Sequence, residues 1–271
     1  MRPFNIMIVD DSKFMRESII NLLKTEQDMN IAAEASNGLE AINTLKSSTI
    51  PIDVIIMDIE MPIMDGAEAT KVIMKEKPTS IILLSALTRE HKKTITALLN
   101  GAFDFIQKPG GKSITFDIDK VKKDLIEKIR FSAIANLTQR FGKKKEFEAA
   151  KRKISRYYDL VLIGTSTGGP GTLAKIFKIM PASFDIPIAV VQHIKEGYSK
   201  SLAEGLNSAS ALDISEVDGF TNIVNGKVYI AKAGYHLEFC ATGTQLKLTN
   251  SEFRNGFRPS VDVLFESALA N

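Results

Sequence analysis

The stretch Asn5-Ile-Met-Ile-Val-Asp10-Asp11-Ser12 decides the fold: an apolar run stops on two adjacent acids, and an amphipathic stretch, Ser12–Gln27, follows at once. A strand buried on both faces reads as a continuous hydrophobic run, and the polar cluster at its end marks the turn into a helix. The same unit recurs through the first 130 residues. Apolar, β-branched-rich runs lie at Ile31–Ala35, Asp53–Asp58, Ser80–Ser85 and Phe103–Gln107, separated by amphipathic stretches at Leu39–Lys46, Ala67–Glu76 and Glu90–Asn100. Five β-α repeats predict an α/β domain over 1–130, a five-stranded parallel sheet with helices on both faces. A closing helix from about Asp117 runs through Leu125 and Ile129 into a proline-free basic segment, predicted as a helical linker over 131–156.

Downstream the pattern restarts. Asp159-Leu-Val-Leu-Ile163 reads as a buried strand, followed by a Gly-rich turn and a helical stretch, Gly171–Met180. A strand at Ile188–Gln192, a helix near Tyr198–Ser208, strands near Leu212–Val217, Lys227–Ala231, Glu238–Ala241 and Leu246–Thr249, and a helix at Ser260–Leu269 predict a second, doubly wound α/β domain over 157–271. The chain stops on that helix, whereas an open α/β sheet ordinarily continues into another strand, so this domain is expected to be incomplete.

Composition narrows the function classes. With 271 residues, 44% hydrophobic and 25% charged, two packed cores are affordable and disorder is excluded as the main state. No apolar run approaches the roughly 18 residues of a membrane helix, and Asp10 arrives too soon for a signal peptide, so a cytoplasmic protein without membrane insertion is expected. Cys240 is the single cysteine, which excludes an internal disulfide and predicts a small buried side chain. Of the net charge of +3, the segment Arg140–Arg156 carries more than all: eight Lys/Arg face only Glu146 and Glu148. That is the pattern of a solvated linker, and no nucleic-acid reader motif accompanies it.

In a doubly wound sheet, function gathers outside the carboxyl ends of the strands. Here those ends carry Asp10-Asp11, Asp58, Ser85 and Lys108-Pro109. Three converging carboxylates repel unless a hard cation such as Mg²⁺ neutralises them. Asp58 is then placed as a nucleophile toward a phosphoryl group, Ser85 can donate to a phosphoryl oxygen, and Lys108 can pair with the charge. Singly, an acid at a strand end is often only a helix cap. Together, Val9-Asp-Asp-Ser12, Asp58-Ile-Glu-Met-Pro-Ile-Met-Asp-Gly66, Ser85-Ala-Leu-Thr88 and Lys108-Pro109 resemble the flavodoxin-like receiver domain of two-component response regulators. The resemblance implies that Asp10, Asp11 and Asp58 hold Mg²⁺ with the backbone carbonyl of Glu60. It also implies that Asp58 is phosphorylated, that Phe105 is the aromatic whose rotamer reports this, and that a cis peptide precedes Pro109.

In the second domain, Gly164-Thr-Ser-Thr-Gly168-Gly-Pro170 joins a strand to a helix. Gly-x-Ser-x-Gly in that context is a nucleophile elbow: the glycines permit the tight turn, Ser166 projects, and N–H groups at the helix start can stabilise an oxyanion. A dinucleotide fingerprint would need Gly at Ser166 and a Walker loop would need Gly-Lys, so neither phosphate loop is met. His193 ends the next strand and is the candidate base, although a lone strand-end histidine is more often structural. His91 reads as solvated. His236, expected in a loop, is a second candidate for substrate contact.

Both halves together decide the family. With Val191-Gln-His193, Tyr229-Ile-Ala-Lys-Ala-Gly-Tyr-His236 and Arg258-Pro-Ser-Val-Asp-Val-Leu-Phe265 added, the whole chain resembles the chemotaxis protein-glutamate methylesterases. That implies hydrolysis of glutamyl methyl esters on chemoreceptors, deamidation of receptor glutamines, no cofactor in the esterase domain, and a receiver that covers the esterase site until a histidine kinase phosphorylates it. Ser166 would attack the ester, His193 relay the proton, Thr167 N–H bind the oxyanion, and Thr165 line the site. The chain departs from the family at Lys232-Ala233, where a proline is usual, and in lacking the segment that carries the triad acid. Asp213, Asp218 and Asp262 do not match that segment's motif, so a nearly inactive chain is expected. The alternative is a phosphorylation-controlled receptor-docking adaptor without catalysis.

Overall fold

A computed structural model of the protein describes residues 2–85, 91–108, 119–141 and 158–270. The chain divides into two units, Met1–Glu146 and Phe147–Asn271. In the first, β1 (Phe4–Val9), α1 (Lys13–Leu23), β2 (Met29–Ala35), α2 (Gly38–Ser47), β3 (Val54–Asp58), α3 (Gly66–Glu76), β4 (Ser80–Ser85), α4 (His91–Leu99), β5 (Asp104–Gln107) and α5 (Asp119–Phe141) alternate as the sequence predicts. The strands form one parallel sheet in the order β2-β1-β3-β4-β5. Residues of β3 are all buried, as expected of a central strand covered on both faces. One core joins Ile6, Ile8, Val54, Ile56 and Ile82 to Ile19, Leu23, Leu125 and Ile129 of the flanking helices.

Helix starts in this unit are set by short polar side chains. Ser12 caps α1, Asn37 caps α2 and Asp65 caps α3, each accepting a first-turn N–H. α5 does not stop at residue 130. Ser132 and Ala133 are fully buried, and Asn136 Nδ2 donates to the Asp53 carbonyl at 2.6 Å. The helix runs on toward the basic segment, as the sequence predicts, and residues 142–157 lie outside the described residues.

The second unit contains β6 (Val161–Thr165), α6 (Gly169–Ile179), β7 (Ile188–Gln192), α7 (Ser199–Ala209), β8 (Asp213–Glu216), β9 (Thr221–Asn222), β10 (Lys227–Ile230), β11 (His236–Phe239), β12 (Gln245–Thr249) and α8 (Val261–Leu269). A parallel sheet runs β6-β7-β10-β8, while β11-β12-β9 form a separate antiparallel sheet. Period and length predict the strands, but not which sheet each joins; β12 pairs antiparallel with β11, His236 opposite Thr249, and with β9, not with the parallel layer. Ala189, Val191 and Tyr229 pack with Leu237, Leu246 and Leu264 in the core. Cys240 is half-buried rather than buried, and His91, at the start of α4, is half-buried rather than solvated. No helix among the described residues is long and apolar enough to cross a membrane.

Candidate functional site

In the first unit, strand ends assemble the acidic cluster. Asp10 and Asp11 follow β1, Asp58 ends β3, Ser85 ends β4 and Lys108 follows β5, so neighbouring strands deliver them to one edge. One carboxylate oxygen from each of Asp10, Asp11 and Asp58 lies within 4.8 Å of the others. Asp10 and Asp58 are buried while Asp11 is exposed. Lys108 Nζ answers the two buried acids at 3.2 Å from Asp10 Oδ2 and 2.8 Å from Asp58 Oδ1. Burial works against the ammonium, but Asp58 and Asp10 outweigh it and hold the Lys108 pKa above the ordinary lysine value.

The backbone around Asp58 is tight. A Cβ at Gly66 would stand 2.1 Å from the Asp58 carbonyl oxygen, so only glycine lets the α3 start approach the β3 end. Asp58 Oδ1 also accepts the Ile59 N–H at 2.8 Å, and Asp10 Oδ1 the Ser12 N–H at 2.9 Å. An oxygen-only donor set of this spacing fits a hard divalent cation. Ser85 is fully buried, with its hydroxyl 2.9 Å from that of Thr94. Phe105 is buried, and its carbonyl accepts from Lys128 Nζ at 3.0 Å. The Glu60 side chain is exposed after β3; Pro109 lies outside the described residues.

In the second unit, β6 and β7 pair with Thr165 opposite Gln192, and His193 N donates to the Thr165 carbonyl at 2.9 Å. Ser166 and His193 therefore follow the ends of adjoining strands. Ser166 and Thr167 are exposed in the loop before α6, where Gly168 adopts φ 72°. Such a backbone is strained for any residue but glycine. His193 is partly buried, and neither ring nitrogen has a hydrogen-bond partner among the described residues. Phe257 stacks on the ring with centroids 3.9 Å apart and planes 4° from parallel. Desolvation pushes the His193 pKa below its ordinary value, partly opposed by the charge of Asp262.

A family model described as CheB methylesterase matches residues 161–271, and one described as response regulator receiver domain matches residues 6–116. A protein-glutamate methylesterase/protein-glutamine glutaminase of Halalkalibacterium halodurans is 40% identical over 271 residues, covering 98% of this chain and 77% of its own. Its counterpart in Thermotoga maritima is 40% identical over 270 residues, with 98% and 78% covered. One from Methanosarcina mazei is 41% identical over 271 residues, with 97% and 74% covered. This chain belongs to that family. It joins a response regulator receiver to a CheB catalytic domain, and the non-catalytic alternative finds no support in these relatives.

Several residues singled out in the methylesterase half have well-defined surroundings in the structure. His236 lies not in a loop but at the opening of β11, is fully buried, and has Nδ1 accepting from Ser260 N at 3.1 Å and Nε2 facing the Glu252 carbonyl at 3.0 Å. Those bonds make it a brace for the 250–260 loop, held through both ring nitrogens. Thr165 Oγ1 donates to Gln192 Oε1 at 2.6 Å. Of the three acids, Asp213 and Asp218 pair with Lys227 and Lys232; Asp262 accepts from Asn255 Nδ2 at 2.7 Å and acts on His193 through space.

Two residues escaped the sequence reading. Phe257 sits in an irregular loop, where no period signals a role. Gln192 closes β7 beside the histidine and is buried, a burial that its polar character hid.

Proposed function

We propose that this chain is a phosphorylation-controlled cytoplasmic hydrolase that removes methyl esters from chemoreceptor glutamates and deamidates receptor glutamines. The observation that carries this reading is the placement of Ser166 and His193 at adjoining parallel strand ends, beside a helix start, in a chain whose relatives are named for that reaction. Ser166 Oγ attacks the ester carbonyl and His193 takes its proton; His193 then protonates the departing methoxide, and a second round with water frees the glutamate. Thr167 N–H is the oxyanion donor. Asp262 favours the imidazolium that forms in each step.

Control lies in the receiver. A histidine kinase is the phosphodonor, and Asp58 is the phosphoryl acceptor. Asp10, Asp11 and Asp58, with the Glu60 carbonyl, would hold Mg²⁺, which supplies positive charge to the incoming phosphoryl group. Lys108, already paired with Asp58, compensates the same charge, and Ser85 and Phe105 respond to it. The test is methanol release from a methylated receptor fragment by the full chain, with and without phosphorylation. Release above that of Ser166→Ala, rising with phosphorylation, is the expected result; release no greater than that of the variant overturns the reading.

A further inference from the structure

Gln192 is buried at the seam between the serine loop and the histidine strand, 2% exposed. Its Nε2 donates to the Ser166 carbonyl and to the His193 carbonyl, each at 2.9 Å. Both of those partners are carbonyls, which can only accept, and this fixes which end of the amide is which; its Oε1 in turn accepts from Thr165 Oγ1 at 2.6 Å. Gly169 leaves the room for it: a Cβ there would stand 1.9 Å from Gln192 Oε1. One amide thus binds the residue before the nucleophile, the nucleophile's own carbonyl and the base's carbonyl.

The consequence lies in the peptide plane. The Ser166 carbonyl accepts from both Gln192 Nε2 and Gly169 N, the latter at 2.8 Å. In a trans peptide unit the carbonyl and the next N–H point in opposite directions and cannot turn separately. Anchoring the Ser166 carbonyl inward therefore aims the Thr167 N–H outward, and that N–H has no acceptor among the described residues. A donor held in place before charge develops is what stabilises an oxyanion most.

We propose that Gln192 is a positioning residue for ester hydrolysis: its carboxamide locks the Ser166–Thr167 peptide plane so that the Thr167 N–H faces the oxyanion, and ties His193 to the same frame. This rests on the esterase reading above. Gln192 itself touches no substrate.

The test uses the full chain and a receptor-type peptide carrying a γ-methyl glutamate. Gln192→Glu and Gln192→Met keep the side chain's length and remove both donors. The expected result is a kcat lowered on the order of 10²-fold, as for loss of an oxyanion donor, with KM within about twofold. A peptidyl trifluoromethyl ketone, which binds as a tetrahedral adduct, should weaken by the same factor as kcat/KM. Thermal melting and titration of reactive serine correct for unfolded protein; if neither Gln192 variant folds, Thr165→Val should lower kcat and Thr165→Ser, keeping the hydroxyl, should restore most of it. Correctly folded variants with unaltered kcat, or with only KM raised, overturn the role of Gln192 while leaving the esterase reading standing. A wild-type chain that releases no methanol overturns the esterase reading and this role with it.

Discussion

The two sites of this chain are held in opposite ways. In the receiver, the candidate reactive groups hold one another: Lys108 lies within salt-bridge distance of Asp10 and Asp58, and one carboxylate oxygen from each of Asp10, Asp11 and Asp58 lies within 4.8 Å of the others. In the hydrolase, the candidate reactive groups stand apart. Ser166 is exposed, the His193 nitrogens have no partner among the described residues, and the order comes from groups behind them, Gln192 and Phe257. Buried like charges cannot wait without a counter-charge, because desolvation makes an unpaired one costly. A neutral serine and a neutral imidazole can wait, so their frame is built from backbone carbonyls and an aromatic face.

That contrast can be broken at its strongest point first. Ser166→Ala should lower methyl-ester turnover by about 10⁴-fold or more and leave Mg²⁺-dependent phosphorylation of Asp58 by a small acyl-phosphate donor intact, while Asp58→Asn should abolish the phosphorylation. Turnover by release of methanol and alkali-labile phosphate label read the two separately. If Ser166→Ala retained turnover, or Asp58→Asn retained label, the assignment of that site would fall.

His236 sharpens the difference between bracing and contact. His236→Leu removes the partner of the Glu252 carbonyl and leaves the buried Ser260 N–H unsatisfied, a cost of about 1–3 kcal/mol for that buried group. Chemical denaturation should show a lower midpoint, with KM of the folded fraction unchanged. A raised KM at unaltered stability would restore His236 to the substrate's side.

The smallest effect concerns pH. Because burial holds the His193 pKa below its ordinary value of about 6.5, the base stays neutral, and kcat/KM should hold until the pH falls below that value. Asp262 opposes the shift, so Asp262→Asn should move the acid limb further down and cost roughly two- to fivefold in kcat, the scale of a screened charge. A pH–rate profile of both proteins checks the sign. An acid limb above pH 6.5, or one that moves upward in the variant, would contradict the burial of the imidazole.

Much of the molecule was legible in residue order alone. Apolar runs ending in acids, with amphipathic stretches between them, determined the parallel sheet of the receiver, since the period of buried side chains is a local property of the chain. The strand-end positions of Asp10, Asp58, Lys108, Ser166 and His193 followed from the same runs. What only the tertiary structure decided is where side chains from distant segments meet. Phe257 reaches His193 across more than sixty residues, and no local period encodes that contact. His236 looked like a loop histidine, yet the β11–β12 hairpin turned it inward onto Glu252 and Ser260. Gln192 read as the polar end of a strand; its place between two loops appears only when β6 and β7 lie side by side, because one carboxamide can satisfy three backbone and side-chain groups only where the fold brings them within hydrogen-bond reach.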